Sequence, residues 1–291
     1  MTADGPPQVS FVVLTMGDRP TELERAVRSA LDQKAADVEV VVVGNGADVP
    51  ALPEGVVTVR LPENRGIPGG RNEGVAASRG EIVVFLDDDG WYDSPDLAAH
   101  LVDLFRAEPS LGIVSFRIRD PEGGAGARRH VPRLRAGDPA RSSRVTTFLG
   151  GASAIRRAAW DAAGGLPAAF FYAHEETDLA WRVLDLGYHL YYDAESVMYH
   201  PIVKPTRHTG FFRMNARNRV WLARRNLPWP VAFVYLAVWA VMMVVREHSL
   251  TSLTAWARGF VEGWRRPAGE RRPMKWRTIW RMTLLGRPPV I

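Results

Sequence analysis

Three consecutive carboxylates, Asp87, Asp88 and Asp89, close the apolar run of "EIVVFLDDDG", Glu81 to Gly90. Carboxylates packed this closely repel one another, so a fold that keeps them invites a cation. A divalent metal carrying phosphate is the usual one. Asp-x-Asp is a weak motif by itself, and a solvated turn before Gly90 uses the same residue types. A second acidic group, Glu175, Glu176 and Asp178, stands at the start of a helical pattern. Acids in a first turn offset the positive end of the helix dipole, which accounts for one or two of them. It does not account for "FFY" (Phe170 to Tyr172) and His174 just before. A carboxylate beside an aromatic-lined pocket, its proton affinity tuned by burial, suits a general base. The third element is His200 in "VMYHP". A lone histidine is usually structural, yet imidazole also completes an oxygen-rich divalent site.

The segments that carry these residues alternate between strand and helix. Val9–Thr15 reads as a strand, and a helix capped by Thr21 follows with Leu23, Ala26, Val27, Ala30 and Leu31 on one face. Val38–Gly44 and Val56–Arg60 read as strands, Gly69 and Gly70 open a helix through Ser78, and Val83–Leu86 reads as a fully buried strand. Ser94-Pro95 starts another helix, and Leu111–Ile118 returns as a strand. This order predicts an α/β fold, a mainly parallel sheet with helices on both faces. In such sheets ligands bind beyond the carboxyl ends of the strands, where the aspartates fall. Residues 121–143 are rich in Gly, Arg and Pro and read as a loop, either a lid or a tolerated insertion.

Composition limits the function classes. The chain of 291 residues is long enough for one large domain or two smaller ones. It has no cysteine, which excludes disulfides and thiolate metal sites. "MTADGPPQVS" has neither a basic nor an apolar signal region, so no secretory leader is expected. The net charge of +5 conceals an asymmetry: from Lys204 onward there are 17 basic and 3 acidic residues, together with seven of the ten tryptophans. Leu227–Val245 is uncharged for nineteen residues, short of the roughly 20 that span a bilayer. Its helix is expected over Val231–Val245, after Pro228 and Pro230. Arginines on both flanks, Arg224 and Arg225 before and Arg246 after, disfavour a span. Trp256, Phe260, Trp264 and the "MKWRTIWRMTLL" stretch then suggest in-plane amphipathic helices on anionic lipid. Core helices with a solvated basic face remain the plainer reading. Nucleic acid is not expected, because no binding motif accompanies the charge.

Several of these stretches, in this order, resemble family-2 glycosyltransferases of the GT-A fold. The likeness runs from about Val9 to Pro201. "FVVLTMGDRPTELERAVRSALDQ" resembles that family's first strand and helix, and "LPENRGIPGGRNEGVAASRGEIVVFLDDDG" its donor-side segment. "FLGGASAIRRAAWDAAGGLP" and "FFYAHEETDLAWRVLDLGYHLYYDAESVMYHP" resemble its acceptor side. The resemblance implies a GT-A domain over 1–209, with a nucleotide-sugar half over about 1–120 and an acceptor half over 144–209. A basic, Trp-rich helical region for membrane association would occupy 210–291.

The resemblance also implies residue roles. Asp87 and Asp89 would hold Mg²⁺ or Mn²⁺ against the donor diphosphate, with His200 as third ligand. Asp88 would face the donor ribose or sugar. Thr15, Arg19 and Arg71 would contact the nucleotide and pyrophosphate. Where the family commonly has an Asp that reads the base, this chain has Gly44 followed by Asn45, so a UDP-sugar and a dTDP-sugar both stay open. Glu176 would deprotonate the acceptor hydroxyl; it replaces the family's usual Asp, and Glu175 or Asp178 are alternatives. One base and one metal site suffice for a single displacement with inversion. The implied acceptor is a lipid-linked or cell-surface glycan, and the implied location the cytoplasmic face of the membrane, peripherally.

Two other classes compete. A haloacid-dehalogenase-type phosphatase would use Asp87 as nucleophile and Asp89 as acid. It expects a downstream Lys, and none occurs between Lys34 and Lys204. A non-catalytic glycan- or membrane-binding scaffold is the other, and the intact acidic set argues against it. Oligomeric state is not readable from the sequence.

Overall fold

The computed structural model describes residues 5–123, 130–134, 137–201 and 210–290. Parts of the 121–143 loop and the junction before residue 210 lie outside them.

Eight strands form one sheet in the order β3-β2-β1-β4-β7-β5-β8-β6. They are β1 (Val9–Thr15), β2 (Val38–Asn45), β3 (Val57–Leu61), β4 (Ile82–Asp87), β5 (Leu111–Arg119), β6 (Ser143–Val145), β7 (Ala152–Arg156) and β8 (His189–Tyr199). The first four pair in parallel, as does β5 with β8. The short β7 runs antiparallel between β4 and β5, and β6 antiparallel to β8. Neither reversal was visible in the β-α-β alternation. β7 passes straight into a helix, and its five residues are too few to show their direction in the sequence.

Because strand side chains alternate, each buried strand serves two cores. Val9, Phe11, Val13, Val84 and Leu86 pack on one face against α1 (Pro20–Leu31) and α3 (Leu97–Ala107). Val12, Val41, Val43, Val83 and Phe85 face the other way. There they meet α2 (Gly66–Ala76), α4 (Arg157–Ala163), α5 (Glu175–Asp185) and α6 (Phe211–Asn226). The cluster on this second face continues into α7 (Trp229–Arg246) through Ala232, Tyr235 and Leu236, and reaches Met282 of α9 (Trp276–Leu284). α8 (Leu250–Arg265) lies along α6, its Gly259 and Gly263 against the α6 backbone. The C-terminal helices thus share the core of the sheet's second face.

Several element starts moved from their expected positions for local reasons. Pro20, with φ already suited to a first helical turn, begins α1 ahead of Thr21. α2 begins at Gly66, whose φ of 71° and close approach to the Phe171 backbone exclude a side chain. α3 begins at Leu97, where Gln33 from the end of α1 accepts the Ala98 N–H at 2.9 Å. α7 begins at Trp229 and accommodates Pro230 in its first turn. At 18 residues and about 27 Å, α7 is the one helix among the described residues long and apolar enough to cross a membrane. Only 17% of its apolar window is buried.

Candidate active site

The cleft lies where sheet geometry predicts, beyond the carboxyl ends of β1, β2 and β4. It measures about 510 Å³, and its walls include Thr15, Arg19, Asn45, Arg71, Asp87, Asp88, Asp89, Phe171, Tyr172 and His200. Every donor-side and ligand residue expected from the sequence lies on it.

Each aspartate of the triplet has a different partner. Arg71 Nη2 donates to Asp87 Oδ1 at 2.9 Å. Thr15 Oγ1 donates to Asp88 Oδ2 at 2.8 Å, and Arg19 stands 3.4 Å from Asp88 Oδ1. Arg19 also donates to Asp89, and His200 Nε2 lies 3.0 Å from Asp89 Oδ1 and 3.9 Å from Asp87 Oδ2. Burial pushes the Asp88 carboxyl up to about 6, against the opposing hydrogen bond of Thr15 and charge of Arg19. Burial also works against ionisation of Asp89, but His200 and Arg19 prevail and hold its carboxyl below the usual range.

His200 reaches the aspartates through an aromatic link that the sequence reading missed. Trp91, two residues past Asp89, forms an isolated antiparallel bridge with Tyr199, and their rings stack at 5.5 Å. A Trp just after the triplet and a Tyr just before His200 were the available signal.

Asn45 has a different task from base contact alone. Its Oδ1 accepts from Arg65 N at 2.8 Å, and its Nδ2 donates to Asn64 Oδ1 at 3.0 Å and Gly66 O at 3.2 Å. It shapes the turn into α2, whose Arg71 then reaches Asp87.

The second acidic group sits behind Arg71, off the wall of the cleft. Its turn is strained: Phe171, Ala173 and His174 all have φ between 64° and 72°. Asn218 of α6 holds that turn by donating to the carbonyls of Phe170, Tyr172 and Ala173 at 2.8–2.9 Å. This clasp comes from a distant helix and left no local signal in the sequence. Glu176 extends to Gly150, which the Arg71 guanidinium also approaches, and the next residue, Gly151, lies against the Asp87 carboxylate. A side chain on either glycine would collide with those acids, so the Gly-Gly step lets Glu176 and Asp87 both come close to one short stretch of backbone. Burial raises the Glu176 carboxyl, with Arg71 opposing. Glu175 is more enclosed, at 1% exposure, and one of its oxygens has no partner. Burial first, and the neighbouring Glu176 second, push it up to about 8.

Asp178, weighed as an alternative base, is engaged elsewhere. It is fully buried, with Arg182 at 2.6 Å, Arg225 at 2.9 Å and Asn226 donating at 2.6 Å. Burial disfavours its charge, but the two arginines outweigh it and lower its proton affinity. With both oxygens committed, it ties α5 to α6 and has no free lone pair facing the cleft.

Among the described residues, no group of three or more His, Cys, Asp or Glu is arranged to hold a metal ion as it stands. The donor chemistry nevertheless fits a hard divalent cation. Two carboxylates converge on one imidazole nitrogen, and arginines already neutralise the oxygens a cation would meet.

This fold, with its acidic cleft, belongs to a known class. Residues 10–163, more than half of the chain, match the model of glycosyl transferase family 2. The chain belongs to that family. It is 42% identical over 93 residues to succinoglycan biosynthesis protein ExoO of Rhizobium meliloti (strain 1021), covering 30% of this chain and 26% of that protein. It is 27% identical over 118 residues to the putative glycosyltransferase EpsH of Bacillus subtilis (strain 168), covering 38% and 34%. The matched stretches thus span about a quarter to a third of these curated relatives.

Two solved structures share the GT-A fold. The mannosyltransferase PcManGT from Pyrobaculum calidifontis, in complex with GDP-Man and Mn²⁺, superposes with a TM-score of 0.58 at 20% identity, over 97% of this chain and 85% of that one. S. aureus TarS 1-349 gives 0.63 at 13% identity, over 88% and 80%. Family membership removes the phosphatase reading of Asp87 and Asp89.

Proposed function

We propose that the protein moves a sugar from a nucleotide-diphosphate sugar to an acceptor hydroxyl in one inverting displacement. The observation that carries this reading is the close approach of Glu176 to Gly150 and of Asp87 to the adjacent Gly151, beside the acidic cleft. Asp87, Asp89 and His200 hold Mg²⁺ or Mn²⁺, which when bound neutralises the departing diphosphate. PcManGT and GalNAc-T7, both solved with Mn²⁺ and a nucleotide or nucleotide sugar, support that choice of cation. Arg19 and Arg71 bind the diphosphate as bidentate donors. Arg71 turns from Asp87 toward the diphosphate, which frees the Asp87 oxygens and opens the path to Glu176. Glu176 then takes the proton from the acceptor hydroxyl, its raised proton affinity suiting a base that works near neutral pH. Thr15 and Asn45 set the nucleoside end, for which UDP and dTDP are the first donors to try.

The acceptor is a lipid-linked or cell-surface glycan, reached from the cytoplasmic face of the membrane. Support comes from residues 210–291, where Phe233, Val234, Val241, Val244, Val245 and Leu250 are exposed among arginines. One face of α7 is committed to the core through Tyr235 and Leu236, so the helix lies on a bilayer rather than in it.

A nucleotide-sugar panel, assayed for transfer and hydrolysis with Mn²⁺ and with chelator, tests the reaction. Metal-dependent turnover of one donor is expected, reduced on the order of a thousandfold in Asp89→Ala. Equal turnover in that variant would sink the assignment.

A further inference from the structure

Below α7 lies a second cavity, of about 90 Å³, separate from the cleft. Thr146, His174, Arg219, Tyr235, Trp239 and Arg287 are among its lining residues. Arg219 is fixed there: its Nη1 donates to Tyr235 Oη at 2.9 Å, its Nε to Asn215 Oδ1 at 3.1 Å, and its guanidinium stacks 3.3 Å over the Trp239 ring. All three partners are neutral. Arg287 enters from the segment after α9. Among the described residues, no carboxylate stands within 4.0 Å of either guanidinium, whereas Arg182, Arg213, Arg217 and Arg225 each have one.

Three further polar atoms at this cavity are buried without a partner: Thr146 Oγ1, His174 Nε2 and Trp239 Nε1. Thr146 as a whole is 2% exposed. Folded proteins rarely leave such atoms unbonded, and two cations drawn from water without a counter-charge are costly. Burial pushes both arginines below their usual range, and Arg219 further opposes Arg287. Hydroxyl, indole N–H and two guanidiniums are the groups that bind oxyanions. One water needs roughly 10–15 Å³ by the same measure, so the space admits a tetrahedral oxyanion.

We propose that this cavity binds a phosphate group, held by Arg219 and Arg287 with Thr146 and Trp239 as neutral donors. The phosphate comes either from a soluble ion or from a lipid headgroup. The proposal stands without the sugar-transfer reading, because binding is measured with no donor present.

The test titrates the full-length protein with inorganic phosphate against chloride at matched ionic strength, and with dihexanoyl phosphatidic acid below its micellar concentration against dihexanoyl phosphatidylcholine. Calorimetry reads affinity, and thermal unfolding reads stabilisation. Wild type is expected to bind one equivalent, with affinity falling at least about tenfold in Arg287→Gln and largely restored in Arg287→Lys. Thr146→Val gives a smaller loss without disturbing the Arg219 stack. Arg71→Gln, which lies on the cleft and not on this cavity, is expected to retain binding at this cavity. Binding of inorganic phosphate assigns a soluble source, and binding of phosphatidic acid alone assigns a lipid. Binding of neither, retention in Arg287→Gln, or loss in Arg71→Gln with retention in Arg287→Gln would each overturn it.

Discussion

The two acidic clusters are built from the same few residue types and have opposite electrostatics. Asp87, Asp88 and Asp89 lie at a strand end on an open cleft, each within reach of a cationic or hydroxyl partner. Glu175 and Glu176 lie at a helix start behind that cleft, where Arg71 is the main opposing charge. His200 and Arg19 hold the Asp89 carboxyl below the usual range, and the first cluster suits a cation. In the second, burial raises the proton affinity of both glutamates, which suits proton transfer. Asp178, two residues from Glu176, shows that position alone does not confer the second behaviour. Two arginines and an asparagine saturate it and make it structural. Partner supply, more than the acid itself, separates the three environments.

That contrast can be broken experimentally. Asp178→Asn is expected to have the largest effect on stability, about 3–5 kcal/mol, because it leaves two enclosed guanidiniums without their charge partner. Urea denaturation measures it, and a loss below about 1 kcal/mol would return Asp178 to the catalytic candidates. Glu176→Gln is expected to lower kcat about a hundredfold with little change in donor KM. A matching loss in Glu175→Gln instead would move the base one residue back.

The smallest effect is a slope. Glu175 holds its proton to about pH 8 in the folded chain, against 4.5 unfolded. Between those values the native state binds more protons, so stability falls as pH rises, by at most about 1.4 kcal/mol per unit. Glu175→Gln should flatten that fall, as read by urea midpoints from pH 5 to pH 8. An unchanged slope would place the ionised form of Glu175 in the native state.

The N-terminal sheet region, residues 9–120, was legible because its signals are local. Val9–Thr15 and the aspartate strand appear where continuous β-branched runs predicted them, and the cleft follows from which strand ends are adjacent. The later part of the chain, from residue 144 on, was less legible. Gly150-Gly151 reads as a turn, and only the structure brings Glu176 and Asp87 against it. Asn218 and Asn226 carry no motif, yet one holds the strained turn before α5 and the other binds Asp178. Arg219 and Arg287 were two more charges in a basic tail until the fold enclosed them together.

The sequence by itself determined the α/β order and the family, and it picked out the aspartates that the fold places on the cleft. Strand patterning and motif order are written within short stretches of chain, where backbone periodicity and burial act directly. Only the tertiary structure decided which acid meets which arginine, and so which keeps its charge. Proton affinity depends on distances of a few ångströms between residues far apart in the chain, and packing sets those distances.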